Sequence, residues 1–492
     1  MPAIFIDPTV PFSLEEFSRA LQTGSSIRPS AVALSKVRRG FQNLTQVLDD
    51  PSRKVYGIHT GFGGLQGDQT PSDSLEDHQR DLVASHACGV GDLLEDREVR
   101  AMMYLRARQL SRGYSGISTT AFNAYLNALN SGKLPTVPSQ GSVGASGDLI
   151  PMAHIALKVL EKIPKGKLGP RDGLSLINGT EASLAVSLLN WERAGALFDS
   201  ALSTAALSLF AFSGKTEAWD PVFINLKKHR EMAEVSGLLM KRLGSYRSRG
   251  LPQDPYSFRA AVHVFGGVLK LLRTAQDLLF KEADSVTDNP VILFAPSPHR
   301  PIAPSFYHGA HFHGLQVALA ADMTAWAMNL LAMGAERRTD WLLSGRRLPM
   351  MLPAKARGSG LMMLQTVQGA LVAENRLLSR PASADSIPSS ANQEDFVPMA
   401  MGAALKAKKT AANAGRVVAI EALAAGRAVA LGRSGAKTRL PSALAVFLRT
   451  IERAAGRALS QEDRDFSAAV ERIAVILERA GQTGETFSKK ER

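Results

Sequence analysis

Cysteine is all but absent from this 492-residue chain, in which Cys88 stands alone. One thiol excludes an internal disulfide framework and any multi-cysteine metal cluster, and it fits a reducing compartment. The opening stretch, MPAIFIDPTVPFSLEEF, lacks a basic segment followed by an apolar one, so the expectation is a cytoplasmic protein without a signal peptide. Long uninterrupted apolar runs are also missing. The most apolar long stretch, VALAADMTAWAMNLLAMGA (317–335), carries Asp322, Thr324 and Asn329 and is largely alanine, which predicts a buried bundle helix and not a membrane span. No HExxH spacing occurs, so a zinc-hydrolase reading has no motif to rest on.

What the chain has in excess is positive charge, a formal net of +13. Residues 401–460 hold eleven Lys and Arg (406, 408, 409, 416, 427, 433, 437, 439, 449, 453, 457) against Glu421 and Glu452. A basic face attracts nucleic acid or any anion. This one lacks the run of interleaved aromatic residues that single-strand recognition uses, so it reads as a solvated helix face.

At 45% hydrophobic and 21% charged, the chain suits one large core or two to three domains. SLEEFSRALQT (13–23) opens with a serine and a glutamate three residues later, which predicts a capped helix. From about residue 185 the pattern becomes long Ala- and Leu-rich helices, expected over 183–213, 226–244, 256–284, 313–345, 362–380 and 397–431. Proline-rich breaks fall at 135–138, 288–304 and 348–353. Strand-like signal is thin, with VYGIHT (55–60) the main example. We therefore expect a mainly α protein with two parts: a mixed, loop-rich N-terminal domain (1–185) and a long-helix bundle with C-terminal helices (186–492). Function is expected where loops of the first meet helices of the second.

Residues 141–149, GSVGASGDL, set three glycines and two serines around one alanine, with Asp148 behind. A tightly bent loop of such residues brings the Gly147 amide nitrogen toward the Ala145 carbonyl carbon, and glycine hinders that approach least. Cyclisation with loss of two waters, one taking the Ser146 hydroxyl, yields a five-membered ring with an exocyclic methylene. Such a ring is an electrophile made from the chain itself, a chemistry side chains otherwise lack. A serine-hydrolase elbow is excluded, since no residue separates Ser146 from Gly147.

The segment GSVGASGDLIPMAHIAL (141–157) resembles the prosthetic-group segment of the histidine and phenylalanine ammonia-lyase family, in which Ala-Ser-Gly forms 4-methylideneimidazole-5-one. The resemblance extends through YGIHTGFGGL (56–65), QRDLVASHACGVG (79–91), INGTEAS (177–183), QDPYSFR (253–259), SVTDNP (285–290), HFHG (311–314) and ASADSIPSSANQED (382–395), in the family's order. It implies a fumarase/aspartase-like helical architecture. It also implies elimination of ammonia from an aromatic amino acid on a self-made ring, with no metal or external cofactor.

Carried over residue by residue, Ala145, Ser146 and Gly147 form the ring. Tyr56 matches the catalytic tyrosine that takes the β-proton, and Tyr256 a second active-site tyrosine. Arg259 matches the carboxylate-binding arginine, a role its planar fork suits. Asn178 and Gln253 match amides that line the pocket, and Phe312 an aromatic packed beside the ring. Ser85-His86 is the histidine-lyase pattern at the pair that differs between subfamilies. Glu394 agrees with it, because a carboxylate accepts an imidazole N–H but would be costly beside a phenyl ring. The resemblance further implies a homotetramer whose pockets are each built from three subunits.

Several positions depart from the family pattern: His59, Arg108, His311, Phe396 and the stretch LKKHREM (226–232). Those expected near the pocket leave the substrate open to a related amino acid, and tyrosine or phenylalanine elimination and aminomutase chemistry stay as alternatives. Rivals from other classes are a metal enzyme using His308, His311 and His313, and a basic nucleic-acid-binding protein.

Overall fold

The computed structural model describes residues 3–49, 55–65, 67, 75–248, 253–355, 358–432 and 439–480. In chain order its elements are β1 (Ile4–Ile6), α1 (Leu14–Ala20), β2 (Ile27–Pro29), α2 (Ala31–Leu48), α3 (Leu75–His86), β3 (Val90–Leu93), α4 (Asp96–Leu110), α5 (Thr119–Asn130), β4 (Pro138–Gln140), α6 (Leu149–Leu160), α7 (Asp172–Ile177) and α8 (Glu181–Phe212). There follow α9 (Pro221–Asn225), α10 (Arg230–Leu243), α11 (Tyr256–Arg259), α12 (Ala261–Ala283), β5 (Val291–Leu293), β6 (Ser305–Tyr307), α13 (Leu315–Leu343), α14 (Met362–Leu378), α15 (Ala400–Ala430), α16 (Ser442–Ala455) and α17 (Phe466–Ala480). Helix dominates, as the sequence leads one to expect. Among the described residues the strands form three two-stranded pairs: β1–β2 parallel, β3–β4 and β5–β6 antiparallel.

Local chemistry starts these helices. Ser13, Ser30 and Ser118 cap α1, α2 and α5 by accepting from a backbone N–H three residues on, and Glu95 with Glu98 forms a reciprocal capping box on α4. On α2 the buried residues Ala33, Val37, Gly40, Leu44 and Val47 repeat at three or four positions, a single core-facing stripe.

The chain divides into two compact units. The first comprises 1–189, 277–321 and 381–405. Within it, α3 packs on α6 and α7. A hydrophobic cluster of Leu44, Val47, Val55, Ile58, Ile292 and Phe306 anchors the segment around Tyr56. Deep in this unit Arg106 pairs with Glu181 at 3.0 Å and Asp288 at 3.3 Å, and Arg171 pairs with Asp288 at 3.0 Å, all essentially without solvent. Charges this deep persist only when matched, so the network locks the start of α8 against the 285–290 segment.

The second unit comprises 190–276, 322–380 and 406–492 and holds the long-helix packing. Glu421 on α15 accepts from Arg338 Nε at 2.6 Å and Nη2 at 2.8 Å on α13, and from Ser208 Oγ at 2.7 Å on α8. One buried carboxylate thereby ties three helices together. The stretches Asp172–Phe212 and Leu315–Leu343 have the length and hydropathy of a membrane span, yet their most apolar windows are 89% and 61% buried inside the protein, as core helices are.

Three expectations are corrected. VYGIHT forms turns and not a strand, because Gly57 takes φ +73° and the Val55 carbonyl accepts from both Ile58 N and His59 N. The helix expected over 226–244 begins only at Arg230, since Lys228 at φ 58° breaks the backbone first. The one expected over 256–284 divides into α11 and α12 at Ala260, whose ψ of 4° departs from the helix.

Candidate active site

A cleft of about 1600 Å³ opens in the first unit, lined by the loops 61–65, 141–147, 308–313 and 389–396 and by one face of α3. It gathers Tyr56, Ser85, His86, Ala145, Ser146, Gly147, Asn178, Phe312 and Glu394, nine of the twelve residues singled out from sequence. Gln253, Tyr256 and Arg259 belong to the second unit and do not line it. There Tyr256 is 77% exposed, and the Arg259 guanidinium lies 4.8 Å from its ring centre, so the two do share a face.

The small-residue loop is folded back on itself. Gly144 and Gly147 take φ of 74° and 71°, and Gly147 makes backbone bridges with Gly144 and Ala145. A Cβ on Gly147 would stand 2.3 Å from the Gly179 carbonyl oxygen, so no side chain is tolerated there. Asp148 N donates to that same carbonyl at 2.7 Å. Asp148 itself is buried completely and accepts from Ser142 Oγ, Ser183 N and Ser183 Oγ, each at 2.7 Å. Burial pushes its carboxyl above the usual range while these donors pull against it. The bend and the absent Cβ at Gly147 fit a ring closed between Gly147 N and the Ala145 carbonyl.

Asn178 follows α7 and fixes the loop from the other side. Its Nδ2 donates to the Ser146 carbonyl at 2.9 Å, and its Oδ1 accepts from Asn289 N at 2.7 Å, which settles the amide's orientation. Ser146 Oγ donates to Glu394 Oε1 at 2.7 Å. The carboxylate singled out for substrate choice thus touches the residue expected to form the electrophile.

On α3, His86 Nδ1 lies 2.8 Å from the Leu82 carbonyl. A carbonyl only accepts, so Nδ1 carries a proton, and in the neutral tautomer this leaves Nε2 as the acceptor. Ser85 Oγ donates to the same carbonyl at 3.0 Å. Tyr56 OH accepts from Gly63 N at 2.8 Å. Burial raises the phenol's pKa, the Gly63 N–H opposes this, and the charge of Glu394 adds to it. The groups around Tyr56 in this chain therefore favour the neutral phenol, the opposite of what a base requires.

The departures separate into two kinds. Phe396, 59% exposed, lines the cleft beside His313, their rings near-parallel with centres 6.1 Å apart. Arg108 does not line the cleft and is buried elsewhere, donating to the Val10 carbonyl at 2.6 Å and pairing with Asp284 at 2.8 Å. His59 accepts from Val55 N at 3.2 Å and does not line the cleft, and neither does His311.

The histidine-cluster rival loses its geometric basis: among the described residues no three His, Cys, Asp or Glu side chains converge as metal ligands would. Five of the basic stretch's side chains are paired within their own unit. Lys406 meets Asp322, Lys409 meets Glu374, Arg416 meets Glu471, Arg427 meets Asp463 and Arg457 meets Glu462. Residues 433 and 437 lie outside the described residues. Reasoning from sequence did not single out Ser389, Ser390 or Asn289, although SVTDNP and SSANQED contain them, and it gave Asp148 no role.

The family model described as aromatic amino acid lyase matches residues 12–452. A histidine ammonia-lyase of Desulfotalea psychrophila is 35% identical over 442 residues, covering 84% of this chain and 85% of its own. The crystal structure of histidine ammonia-lyase from Trypanosoma cruzi is similar with a TM-score of 0.86 at 28% identity, over 99% of this chain and 95% of that one. A phenylalanine aminomutase of Pantoea agglomerans reaches a TM-score of 0.88 at 26% identity, over 98% and 99%.

Proposed function

The chain belongs to the aromatic amino acid lyase family, and from that premise we propose that it eliminates ammonia from L-histidine to give trans-urocanate. It is a carbon–nitrogen lyase. The observation that carries the choice of histidine is the Glu394 carboxylate, 2.7 Å from Ser146 Oγ inside the cleft. With His86 offering Nε2, the cleft presents two acceptors to a substrate ring. A neutral imidazole has one N–H to donate to the carboxylate, whereas a phenyl ring has none and would desolvate the carboxylate without offering it a donor.

The prosthetic group proposed is 4-methylideneimidazole-5-one, formed from Ala145, Ser146 and Gly147. When present it supplies the electrophilic carbon that makes the amine a good leaving group. Asn178 holds the carbonyl of Ser146, and Asp148 holds the loop beneath it. Phe312 lines the cleft beside the loop and helps exclude water. Tyr56 is the proposed acceptor of the β-proton, with Gly63 N–H poised on its oxygen.

Two features support a site completed by other copies of the chain. The cleft exceeds the 300–1,000 Å³ or so of most small-molecule sites. Among the described residues its lining includes Asp77, Asp81, Glu394 and Asp395 but no Lys or Arg to pair with a substrate carboxylate. We accordingly propose a cytoplasmic homotetramer in which Gln253, Tyr256 and Arg259 enter the pocket of another subunit. There Arg259 would bind the carboxylate and its charge would favour the Tyr56 phenolate.

The test is an ultraviolet assay of the purified protein with L-histidine, L-tyrosine and L-phenylalanine in parallel. Urocanate formation is expected, and Glu394→Gln should lower it by about a hundredfold. Turnover of tyrosine or phenylalanine without histidine would sink the proposal. A β-amino acid as the main product would mark an aminomutase.

A further inference from the structure

Ser389 and Glu394 are joined three times. Ser389 N donates to the Glu394 carbonyl at 2.9 Å, Glu394 N donates to the Ser389 carbonyl at 3.2 Å, and Ser389 Oγ donates to Glu394 Oε2 at 2.5 Å. Between them Ser390, Ala391 and Asn392 take φ of 51°, 55° and 67° in succession. Three non-glycine residues in the left-handed region cost on the order of 1 kcal/mol or more each, and such strain persists where its closure serves a site. Ser390 Oγ also accepts from Gly64 N at 2.9 Å, next to the Gly63 N–H that holds Tyr56. The turn is thereby clasped to the loop of the proposed base.

Each Glu394 oxygen has one hydroxyl donor: Oε2 has Ser389 and Oε1 has Ser146. We propose that Ser389 is a positioning residue that leaves Glu394 with one vacant acceptor once the ring has formed. Ser146 loses its hydroxyl and its Cα hydrogen together as one water, so Oε1 gives up its donor while Oε2 keeps Ser389. The carboxylate is then held from rotating, and Oε1 faces the space the hydroxyl has left. An imidazole N–H of the substrate takes the place of the serine O–H. This inference rests on the histidine reading and adds that ring formation itself opens the specificity contact.

Ser389→Ala and Ser389→Thr, made in the full chain beside the wild type, test it. The tryptic peptide containing Ala145-Ser146-Gly147 should be two waters lighter in all three, which separates substrate positioning from ring formation. For L-histidine, Ser389→Ala should raise KM about tenfold, the worth of one charge-assisted hydrogen bond, with a smaller effect on kcat. Its thermal midpoint should stay near wild type, and Ser389→Thr should restore KM because it restores the hydroxyl. An unchanged KM in Ser389→Ala overturns the proposal, as does an equal loss in Ser389→Thr or a peptide of full mass in Ser389→Ala. A wild type that carries the lightened peptide yet leaves histidine untouched brings down the histidine reading, and this inference with it.

Discussion

Ser183 donates twice to Asp148 Oδ2, from its backbone N and from its Oγ, both at 2.7 Å. The pair pins the end of the small-residue loop to the first turn of α8, deep inside the first unit. Removing the hydroxyl leaves a buried carboxyl with one donor fewer. Ser183→Ala should therefore destabilise the fold by about 2 kcal/mol, seen as a lower denaturation midpoint, while Ser183→Thr should recover most of it. An unshifted midpoint would mean that this bond adds no net stability.

Gly147→Ala should abolish ring formation. The residue stands at φ 71° with the Gly179 carbonyl oxygen 2.3 Å from where a Cβ would go, and backbone cannot give way as a flexible side chain does. The expected cost is about 3 kcal/mol or more, read as a loop peptide of full mass or as lost soluble protein. Gly132→Ala is the control, since Gly132 has a φ of 74° but nothing within 4 Å. It should cost only about 1 kcal/mol and leave the peptide light.

Glu282 makes stability depend on pH near neutrality. Burial is the main cause that raises its carboxyl pKa to about 7, the charges of Glu181 and Asp148 add to it, and Thr180 Oγ1, donating at 2.7 Å, pulls the other way. The folded pKa lies above the unfolded one. The native state therefore binds more protons between roughly pH 4.5 and 7, and stability falls as pH rises through that window. A shift of this size corresponds to about 3 kcal/mol. Glu282→Gln should flatten the thermal midpoint across the window, and an unaltered slope would remove Glu282 as its source.

The proposed sharing of the pocket between copies can be tested by mixing two variants, each expected to be inactive alone. Tyr56→Phe damages the first unit's contribution and Arg259→Ala the second's. Co-expressed, they should give assemblies in which some pockets receive Tyr56 from one chain and Arg259 from another, with more histidine turnover than either variant alone. Activity no greater than the parents' would show that each chain builds its own site.

The long helices were legible because alanine and leucine recur through them with few breakers: 183–213 and 397–431 were expected, and Glu181–Phe212 and Ala400–Ala430 are observed. Their interruptions were not, since Lys228 and Ala260 leave the helix through backbone angles that no local composition announces. The loop of Ser146 was readable from its small residues alone. The residues that hold its partners were not, because Ser389 acts through the Glu394 carboxylate and Asn289 through the Asn178 amide, 111 positions away. Tyr56 teaches the converse lesson. Its place in the cleft was foreseen, but its raised pKa comes from burial and from Glu394, and burial is invisible in a string of letters.

The surroundings of Ser146 come from distant parts of the chain, Asn178 being 32 positions away and Glu394 248. During synthesis the loop therefore leaves the ribosome long before the carboxylate that meets its hydroxyl has been made. Until residue 394 has emerged and its turn has docked, the Ser146 hydroxyl lacks the carboxylate that accepts from it. Whatever chemistry the loop undergoes belongs to the finished fold, and a truncated chain never acquires the setting for it.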